Sequence, residues 1–157
     1  MNRFVLMAVL AAGCGKEIGD ACVVSSDCDP NGARQCDTVD KEGYCTIQGC
    51  DYNTCPSEAA CVQFFTGDFN NRTCDPTQAK STSSCSLDEL CAIDGHCVPR
   101  SSEIRLCMKT CGSDGDCRDG YECRNLDKMK AHGGQPVLSP GLVVDATSPN
   151  FCAAVGP

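Results

Sequence analysis

Seventeen of the 157 residues are cysteine, and the spacing of sixteen of them repeats. Cys85-SLDEL-Cys91-AIDGH-Cys97 and Cys111-GSDGD-Cys117-RDGYE-Cys123 both read C-x5-C-x5-C. Cys50, Cys55 and Cys61 follow C-x4-C-x5-C, and Cys22, Cys28 and Cys36 follow C-x5-C-x7-C. One further cysteine trails each triplet: Cys45, Cys74, Cys107 and Cys152. The pattern predicts four units of four cysteines, at 22–45, 50–74, 85–107 and 111–152, the last with a long insertion at 124–151.

Such a chain has few other ways to hold a shape. It has no Trp and only five Phe and three Tyr. Small units bury too little apolar surface to fold on that alone. The expected fold class is therefore small and disulfide-rich: tandem cysteine-stapled units with short β-hairpins and little regular secondary structure. Within a unit four cysteines allow three pairings, which spacing leaves open. First-to-third with second-to-fourth is the favoured one, because interlocking loops constrain a small unit most tightly. Each bridge contributes about 2–4 kcal/mol, mainly by restricting the unfolded chain.

A turn signature accompanies the cysteines. Asp94-Gly95-His96-Cys97 and Asp119-Gly120-Tyr121-Glu122-Cys123 place an acid and a glycine before a ring and a cysteine. Glu42-Gly43-Tyr44-Cys45 looks similar, but falls on the fourth cysteine of its unit. Gly takes positive φ at little cost and Asp caps local backbone, so these are turns entering short extended segments. Hairpins are expected near Tyr44–Ile47 and Glu122–Arg124. Helical turns are expected at Ser57–Val62, capped by Ser57, and from Ser86 to Leu90. In the insertion, Val137-Leu138 and Leu142-Val143-Val144 suggest two strands around Ser139-Pro140-Gly141.

The chain opens MNRFVLMAVLAAGCGKE. Arg3 followed by a nine-residue apolar run, Phe4 to Ala12, and small residues has the anatomy of a signal peptide at 1–13. The run is far short of the ~20 residues that span a bilayer as a helix. Leu10-Ala11-Ala12-Gly13-Cys14 resembles the lipobox of bacterial lipoproteins, which implies cleavage before Cys14 and a lipid on its thiol. Ala11 departs from the usual Leu, and ordinary signal peptidase would suit the same bond. Residues 14–21 would then be a lipid-anchored tether. Export makes the remaining sixteen cysteines an even set for eight bridges in an oxidising compartment. The expected place is the outer membrane or cell envelope, on its periplasmic or outer face.

The repeats resemble the cysteine-rich repeat lipoproteins abundant in myxobacteria. More distantly they resemble the Dickkopf-type N-terminal cysteine-rich repeat. The residues that carry this are Asp27 with Cys28, Asp116 with Cys117, Gly95 with Cys97 and Gly120 with Cys123. The resemblance speaks to architecture rather than to activity.

Asp114, Asp116 and Asp119 suggest a calcium loop, but Cys117 and Arg118 interrupt the alternating oxygen ligands, and the twelfth position is Asn125 rather than Glu. Neither C-x2-C nor C-x-C occurs, which disfavours zinc and dithiol redox sites. His96 stands where Tyr121 stands in the later repeat and reads as a packing residue; His132 lies in a Gly-rich stretch. No catalytic motif is present. The net charge of −8 argues against nucleic acid. Phe64 and Phe65, with Phe69 nearby, are the core of their unit or a candidate binding patch, and the insertion is the other candidate contact surface. The expectation is a non-enzymatic envelope lipoprotein that binds, adheres or builds, with no cofactor or metal. Its partners would be the membrane, through its lipid, and a protein at the cell surface. The rivals are a metal-sequestering protein and a secreted inhibitor or toxin-like effector.

Overall fold

The computed structural model describes residues 15–67, 72–78 and 85–155. The expected signal peptide, Cys14 and Phe69 lie outside them. Eight disulfides join the sixteen cysteines from Cys22 to Cys152. Regular elements are short: helices α1 (Ser25–Cys28) and α2 (Leu126–His132), and strands β1 (Gln35–Asp37), β2 (Tyr44–Thr46), β3 (Ala59–Phe65), β4 (Glu89–Cys91), β5 (Cys97–Pro99), β6 (Glu103–Lys109), β7 (Tyr121–Arg124), β8 (Gln135–Pro136) and β9 (Phe151–Ala154). A small disulfide-rich fold with little regular structure is what the cysteine pattern requires.

One motif recurs four times. Two cysteines face each other on paired antiparallel strands: Cys36 and Cys45 on β1–β2, Cys61 and Cys107 on β3–β6, Cys91 and Cys97 on β4–β5, Cys123 and Cys152 on β7–β9. Each is bridged back to a cysteine in the preceding loop. The bridges are 22–36 and 28–45, 50–61 and 55–107, 74–91 and 85–97, 111–123 and 117–152. The segment before each motif's first cysteine also packs on its last strand. Cys45 N–H donates to Asp20 O at 2.9 Å, and Cys97 N–H to Arg72 O at 3.0 Å.

The grouping differs from the expected one in the middle of the chain. Units 50–74 and 85–107 do not close on themselves, because Cys55 bonds Cys107 and Cys74 bonds Cys91. Residues 74–97 are a complete motif inserted between the third and fourth cysteines of a motif that runs from Cys50 to Cys107. The cause is the ladder between β3 and β6, from Ala59↔Lys109 to Phe65↔Glu103, which sets Cys107 opposite Cys61. Grouped this way, all four motifs pair first-to-third and second-to-fourth. Two of the three turn signatures also fall into register: Gly43 and Gly95 both precede a fourth cysteine by two residues, at φ of +65° and +84°, whereas Gly120 precedes a third cysteine, Cys123.

Residues 15–21 are not a tether. Ile18 is fully buried, Gly19 N–H donates to Cys45 O, and Arg34 Nη1 donates to Lys16 O at 2.8 Å. Their backbone completes the first motif, so they cannot swing free of it. The helical turn expected at 57–62 is also replaced, by β3, whose Val62, Phe64 and Phe65 favour a pleated, packed surface. The turn expected from Ser86 is a single one, closed by Glu89 N–H to Ser86 O, before β4 begins.

The motifs share one core. Ile18, Tyr44, Val62, Ile93, Met108, Tyr121, Met129 and Phe151 form a continuous buried cluster drawn from all four. The Tyr44 and Tyr121 rings stack at 5.4 Å, and Phe64 meets Phe151 edge-on at 6.1 Å. The Arg118 guanidinium lies 4.1 Å from the Tyr121 ring centre and donates to Lys41 O at 3.0 Å. Aromatic residues that looked too few for a core are spent at the junctions between motifs, where each ring serves two of them.

Candidate functional site

The insertion within the last motif builds one wall of a surface groove. Asn125 caps α2, its side chain accepting from Lys128 N–H at 3.1 Å. The helix stops at Gly133 and Gly134, both at positive φ. Gly134 is obligatory: a Cβ there would lie 2.6 Å from the Phe64 ring and 3.0 Å from the Phe151 ring. The chain then joins β3 as strand β8, with Val137 N–H donating to Cys61 O at 2.8 Å. The Gln135 side chain accepts from Ile93 N–H at 2.6 Å and so ties the insertion to the inserted motif. A turn closed by Leu142 N–H to Ser139 O brings Val143 and Val144 back. The two strands expected at Val137-Leu138 and Leu142–Val144 do not form. Pro136 and Pro140 deny the ladder its donors, and Val137 bonds to β3 instead.

Between this strap and the inserted motif lies a groove of about 430 Å³, within the usual range for ligand sites. Leu87 and Leu90 contribute from the inserted motif; Leu138, Leu142 and Val143 contribute from the strap. Leu87 is fully exposed and Leu142 is 65% exposed. The backbone N–H groups of Leu138, Val143 and Val144 have no partner among the described residues. Two of the charges at the groove are paired: Glu89 with Arg72 at 3.1 Å, and Arg105 with Glu103 at 2.5 Å and Asp51 at 3.1 Å. Arg100 also lines it, and its guanidinium has no partner among the described residues. Among the described residues the arrangement offers apolar contact, backbone donors and the cation of Arg100.

A buried charge cluster roots the insertion. Glu122 and Arg124 are 7% and 6% exposed and pair at 3.1 Å. Arg124 also donates to the carbonyls of His132, Gly133 and Ala154. His132, at the end of α2 rather than in a loop, sets its Nδ1 2.6 Å from Glu122 Oε1. Burial pushes the Glu122 carboxyl up, but the bonds from His132 and Arg124 outweigh it and leave it below its ordinary value.

The residues singled out in the sequence are not gathered into this groove. Phe64 is half-buried against Phe151, and Phe65 packs on Leu90, Ala92 and Val98. His96 does not pack as Tyr121 does; its side chain is 45% exposed and 3.4 Å from Asp94. Two acids of the supposed calcium loop serve the backbone. Asp116 accepts from Gly112 and Ser113 N–H, and Asp114 from Cys123 N–H and Lys128. Asp27 does the same for Val23 and Val24, which explains the acid before the second cysteine in the first and last motifs. Thr54 takes that place in the second, accepting from Asp51 N–H. Cysteine groups such as Cys22, Cys28 and Cys36 have sulfurs close together. These sulfurs are bonded to one another or to further cysteines, and a bridged sulfur is not a thiolate ligand. Nothing in the spacing points to Leu87 and Leu90, the groove's other wall, because their place beside the strap depends on the nesting of the inserted motif.

A chain so heavily bridged belongs to an oxidising environment, in the envelope or outside the cell. No helix among the described residues is long and apolar enough to cross a membrane. Compared with protein-family models, with curated proteins and with solved structures, the chain matches none.

Proposed function

We propose that this chain is a non-enzymatic binding module of the bacterial cell envelope, anchored by a lipid on Cys14. Its groove would take an extended, apolar segment of a partner protein. The observation that carries the reading is the groove itself: exposed Leu87 and Leu142 line it, as do Leu138, Val143 and Val144, whose backbone N–H groups have no partner among the described residues. A strand-like peptide satisfies both, its backbone bonding the strap and its alternate side chains filling the groove. Arg100, whose guanidinium has no partner among the described residues of a chain of net charge −8, suits an acidic group on that segment. The lipobox-like Leu10–Cys14 and the even set of bridged cysteines that follows support the anchor.

The test is selection from a displayed random-peptide library on the fully bridged protein. Enrichment of sequences with alternating apolar residues and an acid, lost in Leu87→Asp and Leu142→Asp, supports the reading. No enrichment over a reduced, unfolded control would overturn it. An intact mass of the exported protein checks the anchor separately, since cleavage by ordinary signal peptidase leaves Cys14 without lipid.

A further inference from the structure

The eight bridges are not equally covered. Seven of them have at least one buried cysteine, and Cys28–Cys45 and Cys50–Cys61 are buried at both ends. Cys74–Cys91 is the exception. Both of its cysteines are partly exposed, and neither belongs to a buried apolar cluster. Cys91 also lines the groove, next to Leu90.

Opening a disulfide makes demands at both sulfurs. A thiolate attacks one of them, and the other leaves as a thiolate. A thiolate released among apolar side chains is costly, because such surroundings raise a thiol's pKa. Where one cysteine is buried, attack on its exposed partner expels the charge into the core. Attack on either end of Cys74–Cys91 expels it into a partly solvated place.

We propose that Cys74–Cys91 is a thiol-exchange site, the bridge that a dithiol opens first, and that its opening takes down the Leu87–Leu90 wall of the groove. One thiolate of the dithiol attacks a sulfur of the bridge, forms a mixed disulfide and releases the other cysteine, which takes up a proton. The second thiol of the dithiol, as thiolate, then displaces the first cysteine, which is protonated in turn. Two electrons pass: Cys74 and Cys91 end as thiols, and the dithiol ends as a disulfide.

The wall depends on this bridge because the inserted motif has little core of its own. Its buried cluster is Leu90, Ala92 and Val98, with Phe65 packed against it from β3, and Ile93 joins the shared core. Its ladder runs only from Glu89↔Pro99 to Cys91↔Cys97. Cys74 N–H donates to Gly95 O at 2.8 Å, so the bridge fastens the motif's first segment to its hairpin. The outer frame keeps its own closures, Cys50–Cys61 and Cys55–Cys107, and the β3–β6 ladder. The site is independent of what the groove binds.

The test uses the fully bridged protein, with free thiols first blocked by iodoacetamide. Dithiothreitol is added in small excess at mildly alkaline pH, samples are quenched with N-ethylmaleimide at intervals, and the labelled cysteines are mapped by mass. The first labelled species is expected to carry its two labels on Cys74 and Cys91, in at least fivefold excess over any other pair. In that species amide hydrogen exchange should quicken across residues 85–99 while β3 and β6 stay protected. Labels first on another pair, labels spread without that excess, or all bridges lost together overturns the proposal. So does labelling of Cys74 and Cys91 with unchanged exchange across 85–99.

Discussion

Cys61 and Cys107 face each other across β3 and β6, and a complete four-cysteine motif lies between them in the chain. Each is bridged to the loop that starts the outer motif, Cys61 to Cys50 and Cys107 to Cys55. The inner motif is thereby carried as an insertion within a covalently closed frame. A peptide map under non-reducing conditions will show Cys55 joined to Cys107 and Cys74 joined to Cys91. Links of Cys55 to Cys74 and Cys91 to Cys107 would contradict the nesting.

Bridges of different span should differ in what they contribute. Cys55–Cys107 closes 52 residues and Cys74–Cys91 closes 17. Chain entropy makes the longer one worth about 1 kcal/mol more. Denaturant unfolding of the Cys55→Ser/Cys107→Ser and Cys74→Ser/Cys91→Ser double variants checks this. The first should lose more stability, and the second should loosen the inserted motif while sparing Tyr44 and Tyr121.

Gly43 sits where no side chain fits. At φ +65° its Cβ would fall 2.1 Å from Cys22 O and within 2.9 Å of both sulfurs of the Cys22–Cys36 bridge. Gly43→Ala is expected to cost at least about 3 kcal/mol, or to leave that bridge unformed. Gly49 has positive φ with open space around it, and Gly49→Ala should cost only about 1 kcal/mol. Thermal unfolding and thiol counting distinguish the two.

Tyr44 is 1% exposed, and its hydroxyl accepts from Lys109 N–H at 2.9 Å while donating to Cys152 O at 3.3 Å. Burial pushes its ionisation well above the ordinary range. Tyr44→Phe keeps the ring stack but strands a backbone donor, at a cost of about 1–3 kcal/mol. Burial also raises Tyr121, to about 12. A raised folded value gives stability that is complete below pH 10 and lost as the pH climbs toward 12. Absorbance of tyrosinate and circular dichroism should therefore change together in that window.

At the acid end the buried Glu122 contributes, beside exposed acids such as Asp27, Asp114 and Asp116 that backbone and side-chain donors also hold below their ordinary values. Its folded value lies below its ordinary 4.5. Its contribution is complete above that pH and fades as pH falls through the folded value. Glu122→Gln should flatten the acid limb of the stability profile. At pH 7 it should cost about 1–3 kcal/mol, because Arg124 keeps its three carbonyl partners.

Spacing alone determined that this chain is cross-linked, that its repeats hold four cysteines and that its loops turn at Gly43, Gly95 and Gly120. Those are local demands: a sulfur needs a neighbour, and positive φ needs glycine. Which fourth cysteine served which triplet was decided by the β3–β6 ladder, a pairing of distant segments that spacing cannot rank. The same tertiary contacts drew Ile18 inward and turned a supposed tether into fold. They gathered Tyr44, Tyr121 and Phe151 from separate motifs into one core, and they opened the groove between Leu87 and Leu142. Burial and register between remote segments are properties of the packed chain, and no single repeat encodes them.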